Sequence, residues 1–467
     1  MTRFDCIVPS SDNKQLLLEK TGGRWTLPHV QAEEGWVANA VNEIQHDFRR
    51  RYGIATVVLR AIRSTASGVA CELEQLTVAG RKEPGAPGLN GESRLRWRDV
   101  ADCNVALLGE DQGATLASWL EGEDNRQDLA PWQEKGWYEQ AALWIVERVH
   151  RAGLEIRGEI EQLKAAWNGS SVLKLDSSDG ALYFKASPRR RPGEPAVIRL
   201  LSARWSRHLP QLVDADEERC WSLMRKAAGT DLNEDDTEAL AEAGRLLARI
   251  QIDQIAEVGR WLDMGCPDRG LDTLQSRLER LLVGIPSALV DAGILQRPER
   301  DRIASFVPEA NSLCRRLAEF SVPGRSLHHE DFRAGNILRG SNGNLIFIDW
   351  NEAVVAHPFF TIQRFLWFVD PPAAVQGPEI LETPDDSSRR TLRDAYLEPF
   401  SQFEPKDRLL EAFAISSRLA TVYDLLRFDA SVDVDAALRR GLEPEEAANA
   451  RSTYARIPTR PLEAGSW

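Results

Sequence analysis

The sequence has few cysteines, and they do not stand in a metal-binding or disulfide-forming pattern. Six cysteines are spread along the 467 residues without a C-x-x-C pair: Cys6, Cys71, Cys103, Cys220, Cys266 and Cys314. Zinc sites and small disulfide scaffolds use closely spaced cysteines. The pattern therefore argues against both kinds of site and favours a reducing compartment.

A long apolar run is missing as well. No stretch approaches the ~18 to 20 apolar residues that a membrane-spanning helix needs, and the start, MTRFDCIVPSSDNK, lacks the pattern of a signal peptide. The formal net charge is −13, which argues against a nucleic acid or an anionic membrane as partner. We therefore expect a cytoplasmic protein.

Three widespread catalytic motifs are also missing. The sequence contains no G-x-x-x-x-G-K-[ST] loop, no H-E-x-x-H helix and no G-x-S-x-G elbow. Their absence argues against a P-loop nucleotide site, a zincin-type zinc site and an α/β-hydrolase nucleophile.

What is present predicts an α+β chain with several structural regions. Hydrophobic residues make up 43% of the chain, and its length corresponds to about three domains at ~150 residues each. Residues 1–122 mix strand-like runs with one helical stretch, residues 123–131 are a polar linker, residues 132–226 are strand-rich, and residues 227–467 are mostly helical. A small sheet-bearing lobe before a larger helical lobe suits an enzyme with a cleft.

The segment LHHEDFRAGNILRGSNGNLIFIDW, residues 327–350, concentrates polar side chains around a predicted hairpin. Asn342 and Gly343 between two apolar runs are typical of a two-residue type I′ turn. That turn would place Asn336 and Asp349 directly opposite each other on one face. An amide oxygen and a carboxylate in this arrangement can share Mg²⁺.

Two further charged residues precede the hairpin. Asp331 can accept the proton of a hydroxyl group beside the metal, and Arg333 places a cation where phosphate charge develops. Each residue taken alone also fits a surface hairpin with a capping Asp and a turn Asn. The segment as a whole favours phosphoryl transfer.

With the pattern H-x-D-x-x-x-x-N followed by Asp349, this segment resembles the catalytic and metal-binding loops of the aminoglycoside phosphotransferase family, which is similar to protein kinases. The resemblance extends from about residue 132 to the C-terminus. It implies a protein-kinase-like bilobal fold with ATP and Mg²⁺ as cofactors. It also implies Asp331 as catalytic base, Asn336 and Asp349 as metal ligands, and His329 as a brace of the loop.

The strand-rich region holds the residues that such an enzyme would use for its nucleotide. The resemblance implies that Lys185 contacts the ATP phosphates and that Glu194, at a helix start, orients it. Taken alone, the two residues also fit a solvated strand end and a helix-start carboxylate. Further nucleotide contacts are expected from a loop and from a hinge strand: Asn168, Gly169, Ser170, Ser171, Leu223 and Arg225.

Two positions depart from the family pattern. Glu330 stands where a small residue is common, and its carboxylate would either repel phosphate or point to solvent. Thr361 stands where the family usually has an Asp that supports the catalytic loop, and a hydroxyl can supply hydrogen bonds but no charge.

The segment 22–54 in the N-terminal region is similar to the helix of Nudix hydrolases. The positions expected to carry metal-binding glutamates hold Asp47, Arg50 and Arg51, and permanently charged guanidinium groups would repel divalent ions. We therefore predict a Nudix-like α/β domain without hydrolase activity. An unrelated α/β domain with an amphipathic helix remains the alternative.

These observations predict an ATP- and Mg²⁺-dependent kinase that phosphorylates a hydroxyl group of a small molecule. The alternative is an inactive nucleotide-binding module in which a pseudokinase and the Nudix-like domain act as a sensor. Hydrolysis by the N-terminal region is a third option. Four residues are candidates for contacts with the acceptor: Trp350, Glu352, Trp367 and Asp370.

Overall fold

The computed structural model describes most of the chain in defined segments. These are residues 1–65, 68–76, 95–124, 129–165, 169–189, 192–227, 229–233, 236–340, 342–369, 387–432, 434–440, 442 and 444–457. No helix within these residues is long and apolar enough to cross a membrane.

The strands, in chain order, are β1 (Thr2–Ile7), β2 (Gln15–Thr21), β3 (Arg24–Thr26), β4 (His29–Ala32), β5 (Thr56–Thr65), β6 (Gly68–Gln75), β7 (Leu95–Asp99), β8 (Ile156–Ala165), β9 (Ser171–Ser177), β10 (Gly180–Ala186), β11 (Leu212–Asp216), β12 (Trp221–Arg225), β13 (Thr230–Asp231), β14 (Asp268–Arg269), β15 (Ser326–His328), β16 (Ile337–Arg339), β17 (Leu345–Phe347) and β18 (Val354–Ala356).

The helices are α1 (Val37–Tyr52), α2 (Val105–Leu108), α3 (Glu110–Asp124), α4 (Trp137–Arg151), α5 (Glu194–Trp205), α6 (Thr237–Asp253), α7 (Val258–Asp263), α8 (Leu271–Glu279), α9 (Ile285–Asp291), α10 (Arg297–Ala304), α11 (Val307–Ala318), α12 (Phe359–Val369), α13 (Ser387–Leu397), α14 (Lys406–Val432), α15 (Val434–Arg440) and α16 (Pro444–Ala455).

The chain forms two compact units. The first contains Met1–Pro195 and Gln211–Lys226, and the second contains Ala196–Pro210 and Ala227–Trp467. Strands and helices are both abundant in the described residues, so the protein is of the α+β class.

The N-terminal part of the first unit is built around α1 and a sheet with strand order β4-β1-β6-β5. The helical stretch expected in residues 1–122 is α1, whose apolar residues Val41, Ile44 and Phe48 recur at helical spacing and are fully buried. The helix ends at Gly53, whose φ of 71° is readily adopted by glycine and whose N–H bonds to the Arg49 carbonyl at 2.8 Å.

The rest of the first unit is a sheet with strand order β11-β12-β10-β9-β8. Trp137 and Trp144 of α4 pack in mostly edge-to-face contacts against Phe184 and Trp221 on this sheet, with ring centroids 5.4 to 6.1 Å apart across this aromatic group. One continuous hydrophobic core includes both this group and the buried face of α1.

The side chain of Gln162 joins the two parts of the first unit through the pair of backbone hydrogen bonds that a neighbouring strand would make. Gln162 of β8 is buried, and it both accepts from the Val58 N–H and donates to the Val58 carbonyl, each at 3.0 Å. Arg49 of α1 contacts Glu159 of β8 at 2.7 Å. Residues 1–122 and 132–195 therefore share packing and hydrogen bonds across the predicted linker region.

In the second unit, helices surround two small sheets, with strand orders β14-β18-β15 and β13-β16-β17. Strand β15 ends at His328, immediately before the loop with His329 and Asp331. The hairpin of β16 and β17 begins at Ile337, directly after Asn336, so the loop of the predicted base starts and ends on hydrogen-bonded strands.

The register of that hairpin differs from the prediction. Ile337 pairs with Phe347 and Arg339 with Leu345, so that Asn336 stands opposite Ile348, whose N–H bonds to its carbonyl at 3.0 Å. Gly340 donates to the Asn344 carbonyl at 2.8 Å, and Gly343 has a φ of 82°. A three-residue turn that ends in a left-handed glycine shifts the pairing by one position, so the predicted two-residue turn and the direct opposition of Asn336 and Asp349 were wrong.

Candidate active site

Asp331 lies in a tight loop that starts at the end of β15. Its N–H bonds to the His329 carbonyl at 2.8 Å, and 20% of its side chain is exposed. Arg333 reaches back toward the carboxylate, with its Nε atom 3.2 Å from Oδ2. The carboxylate is thus accessible from one side and held beside a cation.

Asn336 is bound to the same aspartate. Its Nδ2 atom donates to the backbone carbonyl of Asp331 at 2.8 Å and to its carboxylate at 2.9 Å. Because the amide nitrogen faces Asp331, the amide oxygen points away from it. The structure therefore brings together the predicted base and one predicted metal ligand, and fixes the orientation of both.

Asp349 follows the second strand of the hairpin and has a φ of 68°. This left-handed conformation is uncommon for an aspartate and turns the chain into the short helical turn Trp350–Glu352. Among the described residues, no three Cys, His, Asp or Glu side chains form a metal-binding cluster. The two candidate metal ligands are the carboxylate of Asp349 and the amide oxygen of Asn336.

His329 links the loops that carry Asp331 and Asp349. It is fully buried, and its Nε2–H donates to the Ile348 carbonyl at 2.9 Å. Its ring lies against Trp350, with centroids 4.4 Å apart. Burial lowers its pKa despite the nearby carboxylates, so the neutral ring is a brace between the loops.

In the first unit, Lys185 and Glu194 form the ion pair that the sequence predicted. The Lys185 Nζ atom lies 2.8 Å from the Glu194 carboxylate, and both side chains are nearly buried. Lys185 stands near the end of β10, and Glu194 is the first residue of α5. A carboxylate in the first turn of a helix is stabilised by the helix dipole.

The strand register shows which side chains share a face with Lys185. Lys185 pairs with Ser222 and Val172, and Tyr183 pairs with Met224, and directly opposed residues project to the same side of a sheet. Met224 and Val172 therefore lie on the Lys185 face. Met224 lies within the hinge strand for which nucleotide contacts are expected, and the register singles it out together with Val172.

Three predicted nucleotide contacts lie on the other face. Leu223 and Ser171 are completely buried there, and Arg225 of the same face contacts Asp179. The sheet register turns these side chains away from the Lys185 side, and their contact with the nucleotide stays a prediction. Gly169 and buried Ser170 directly precede β9, and Asn168 lies outside the described residues.

Glu330 adopts neither of the two predicted orientations. It is 2% exposed and faces Arg269 at 2.8 Å and Arg427 at 3.2 Å. Burial would raise its pKa, but the charges of the two arginines outweigh that effect and lower the pKa to about 2. The extra carboxylate is thus neutralised inside the second unit.

Thr361 is buried on α12 and belongs to an uncharged network. Gln251 of α6 donates to the Thr361 hydroxyl at 3.1 Å and to the Leu327 carbonyl at 3.2 Å, and it accepts from Tyr396 at 2.6 Å. Leu327 lies on β15, the strand that leads into the loop of Asp331. Position 361, at which the family usually has a carboxylate, is therefore connected to β15 by neutral hydrogen bonds.

The residues predicted to contact the acceptor differ in burial and in their contacts. Trp350 is 1% exposed and donates to the Phe347 carbonyl, so its ring packs in the core, and its contact with an acceptor stays a prediction. Glu352 accepts from Arg427 at 2.6 Å. The Trp367 side chain and Asp370 lie outside the described residues.

In the N-terminal part, the carboxylate of Asp47 is occupied by its neighbours. It contacts Arg50, lies 3.9 Å from Arg51 and accepts from the Gln31 N–H at 3.2 Å. These partners lower its pKa against the effect of burial.

Comparison with protein families identifies the chain. The model of the phosphotransferase enzyme family, APH, matches residues 159–393, about half of the sequence. The chain belongs to the phosphotransferase enzyme family. The predicted resemblance is thereby confirmed, and the phosphotransferase has the α+β, protein-kinase-like fold of that family. The Nudix-like resemblance of residues 22–54 stays a prediction.

Solved structures similar to this phosphotransferase include several small-molecule kinases. An ethanolamine kinase from Plasmodium vivax is 12% identical, with 66% of this chain and 82% of that chain covered and a TM-score of 0.46. A choline kinase from Streptococcus pneumoniae is 14% identical, with coverage of 68% and 98% and a TM-score of 0.43. A macrolide 2′-phosphotransferase from Brachybacterium faecium is 16% identical, with coverage of 68% and 99% and a TM-score of 0.41. A comparison with curated protein sequences returns no match.

Proposed function

We propose that this phosphotransferase uses ATP and Mg²⁺ to phosphorylate a hydroxyl group of a small molecule, with Asp331 as the base. The observation that carries the proposal is the loop in which the Asp331 carboxylate accepts from both Asn336 and Arg333. A carboxylate held in this way is oriented to receive a hydroxyl proton, and positioning is the main source of rate in phosphoryl transfer.

The donor set of the second unit fits Mg²⁺. The ion prefers hard oxygen ligands and usually retains several waters, and the Asn336 amide oxygen and the Asp349 carboxylate are ligands of this kind. When bound, the ion would neutralise phosphate charge. Asn336 contributes a second effect without the metal, because its amide nitrogen fixes the Asp331 carboxylate.

The first unit supplies the groups for the nucleotide. Lys185, oriented by Glu194, would bind phosphate oxygens. Met224 and Val172 share its face of the sheet and are the apolar side chains that we assign to the adenine. Leu223 and Arg225, also predicted as nucleotide contacts, lie on the opposite face of the same strand.

The acceptor belongs to the class of small hydroxylated molecules. The similar solved structures are described as kinases of choline, ethanolamine, a macrolide and amicoumacin, and a shared fold does not choose among acceptors. The four compounds are therefore the first to test.

One argument for the alternative, an inactive nucleotide-binding sensor, is weakened by the surroundings of Glu330. Glu330 favoured it as a carboxylate that would repel phosphate, yet Arg269 and Arg427 neutralise this residue inside the second unit. The N-terminal part does not decide between a kinase and an inactive sensor. Its Asp47 carboxylate is already in contact with arginine side chains.

The test is acceptor-dependent ADP release from MgATP by the purified chain, with the four compounds and a panel of sugars as acceptors. Asp331→Asn should reduce kcat by about 100-fold or more while MgATP binding persists, because general base catalysis contributes about 10²- to 10⁴-fold. Wild-type turnover by Asp331→Asn would refute the role of Asp331. Failure to bind MgATP would refute the nucleotide site.

A further inference from the structure

The residue between the brace and the candidate base has an unusual backbone and an unusual environment. Glu330 has a φ of 65°, which is uncommon for a residue with a side chain. Its N–H bonds to Nδ1 of His328 at 2.9 Å, and its side chain turns into the protein. Asp331, the next residue, is partly exposed. The left-handed turn thus sends neighbouring carboxylates in different directions.

Three residues from distant parts of the second unit hold the Glu330 carboxylate. Arg269 of β14 lies 2.8 Å from it, Arg427 of α14 lies 3.2 Å from it, and the Tyr423 hydroxyl, one turn earlier on α14, donates to it. A strand and a long helix therefore fix the position of the residue that precedes Asp331.

Arg427 also holds the loop that follows Asp349. Its Nη2 atom donates to Glu352 at 2.6 Å, while its Nε atom faces Glu330. Glu352 ends the short helical turn that begins immediately after Asp349. One guanidinium group thus binds both the loop of the candidate base and the loop of the candidate metal ligand.

The charges in this cluster balance, with Glu330 and Glu352 against Arg269 and Arg427. Buried ion pairs contribute little net stability compared with well-packed apolar residues, because removing the charges from water is costly. A planar guanidinium with several donors does fix the relative position of two carboxylates. The arrangement is therefore better suited to orientation than to stabilisation.

We propose that Glu330 and Arg427 are positioning residues that hold the Asp331 loop and the Asp349 loop in one fixed arrangement. The inference rests on the proposed function for its effect on turnover, but its structural part does not depend on the identity of the acceptor. His329 connects the same loops through the Ile348 carbonyl, so the network provides a second connection.

The test compares Glu330→Gln and Arg427→Lys with Asp429→Asn in the full-length chain. Asp429 also lies on α14 and receives two bonds from Arg280, at 2.7 and 2.9 Å, so its variant removes an ion pair of the same helix away from both loops. Arg427→Lys keeps the charge but loses the fork that reaches two carboxylates.

Hydrogen exchange of the chain without nucleotide is the first measurement. Glu330→Gln and Arg427→Lys should accelerate exchange in residues 328–336 and 348–353, and Asp429→Asn should not. The second measurement is turnover with an acceptor from the panel. The two loop variants should lower kcat by about 10- to 100-fold, as a small displacement of a reacting group does, with little change in KM for MgATP.

The two proposals fail in different ways. Unchanged exchange in both loops, or faster exchange with unchanged kcat, would overturn the positioning role even if Asp331→Asn is inactive. If the wild-type chain phosphorylates no acceptor, the proposed function fails, and the exchange result alone decides whether the loops are held by this network. If Glu330→Gln does not fold, Arg427→Lys carries the same test.

Discussion

The two groups of candidate residues, one in each unit, are held by different means. Lys185 and Glu194 in the first unit stand on a regular strand and at the start of a helix, and they form a single ion pair. In the second unit, Asp331 and Asp349 stand in loops near residues with positive φ, and a network of arginines, a tyrosine and histidines surrounds them.

The difference follows from the backbone. A strand or helix orients a side chain through its own hydrogen bonds, so one partner is enough to fix Lys185. A loop has no such repeating support, and its residues must be fixed from outside by contacts with other elements. We therefore expect that one compensating change can restore the stability of a variant of the Lys185–Glu194 pair, whereas no single change restores a variant of the loop network.

The largest effect that tests this comparison is expected for Lys185→Met. Loss of one charge aimed at phosphate should lower kcat/KM for MgATP by about 100-fold or more. The variant also leaves the buried Glu194 carboxylate without its cation, which should lower the thermal stability. Steady-state kinetics and thermal denaturation measure the two effects. Lys14→Met, at an exposed lysine, should change neither. Adding Glu194→Gln to Lys185→Met should restore the stability but not kcat/KM, and a stability that stays low would contradict the ion pair as the means by which Lys185 is held.

An acid-dependent loss of stability is expected from the histidines of the second unit. Burial is the main cause that lowers the pKa of His328 to about 4 and of His357 to about 3. The folded chain keeps them neutral, whereas the unfolded chain binds protons near pH 6.5, so their contribution is present above that pH and is lost as the pH falls below it.

His357→Asn isolates one of these contributions. The Asn side chain can still accept from the Phe359 N–H, as His357 Nδ1 does at 3.3 Å, but it does not titrate. Between pH 7.5 and pH 5, the wild type should lose about 2 kcal/mol more unfolding free energy than the variant. Urea denaturation at the two pH values measures the difference, and equal losses would show that His357 does not cause the acid sensitivity.

The smallest effect is expected for Thr361→Val. The variant removes one acceptor from Gln251, which keeps its bond to the Leu327 carbonyl, and should cost about 1 kcal/mol of unfolding free energy together with a modest loss of kcat. Thr453→Val removes a buried hydroxyl that bonds within its own helix and should leave kcat unchanged. Equal kinetics for both variants would separate Thr361 from the support of the catalytic segment.

The sequence predicted the parts of the site that depend on residue type and spacing. His329, Asp331 and Asn336 stand in a short motif, so their proximity follows from chain connectivity, and the Lys185–Glu194 pair follows from a strand and a helix that are close in sequence. The apolar stripe of α1 was readable for the same reason, because helical periodicity is a local property.

The structure differs from the predictions where the outcome depends on the exact pairing register of two strands. A three-residue turn instead of a two-residue turn moved Asn336 opposite Ile348. On the sheet of the first unit, the pairing register places Leu223 and Ser171 on the face opposite Lys185, which the sequence alone does not indicate, because a shift of one residue reverses every side chain of a strand. Turn length and pairing register are decided by packing across the sheet.

The amino-acid sequence by itself determined that this chain is a phosphotransferase of α+β class and which residues carry its candidate chemistry, because a catalytic motif is a local pattern of residue types. Only the tertiary structure decided where Glu330 points and that Arg427 binds the loops of both Asp331 and Asp349. Arg269, Tyr423 and Arg427 are far from Glu330 in sequence. A buried charge is compatible with the fold only where such distant partners meet it, and their meeting is a property of the folded chain.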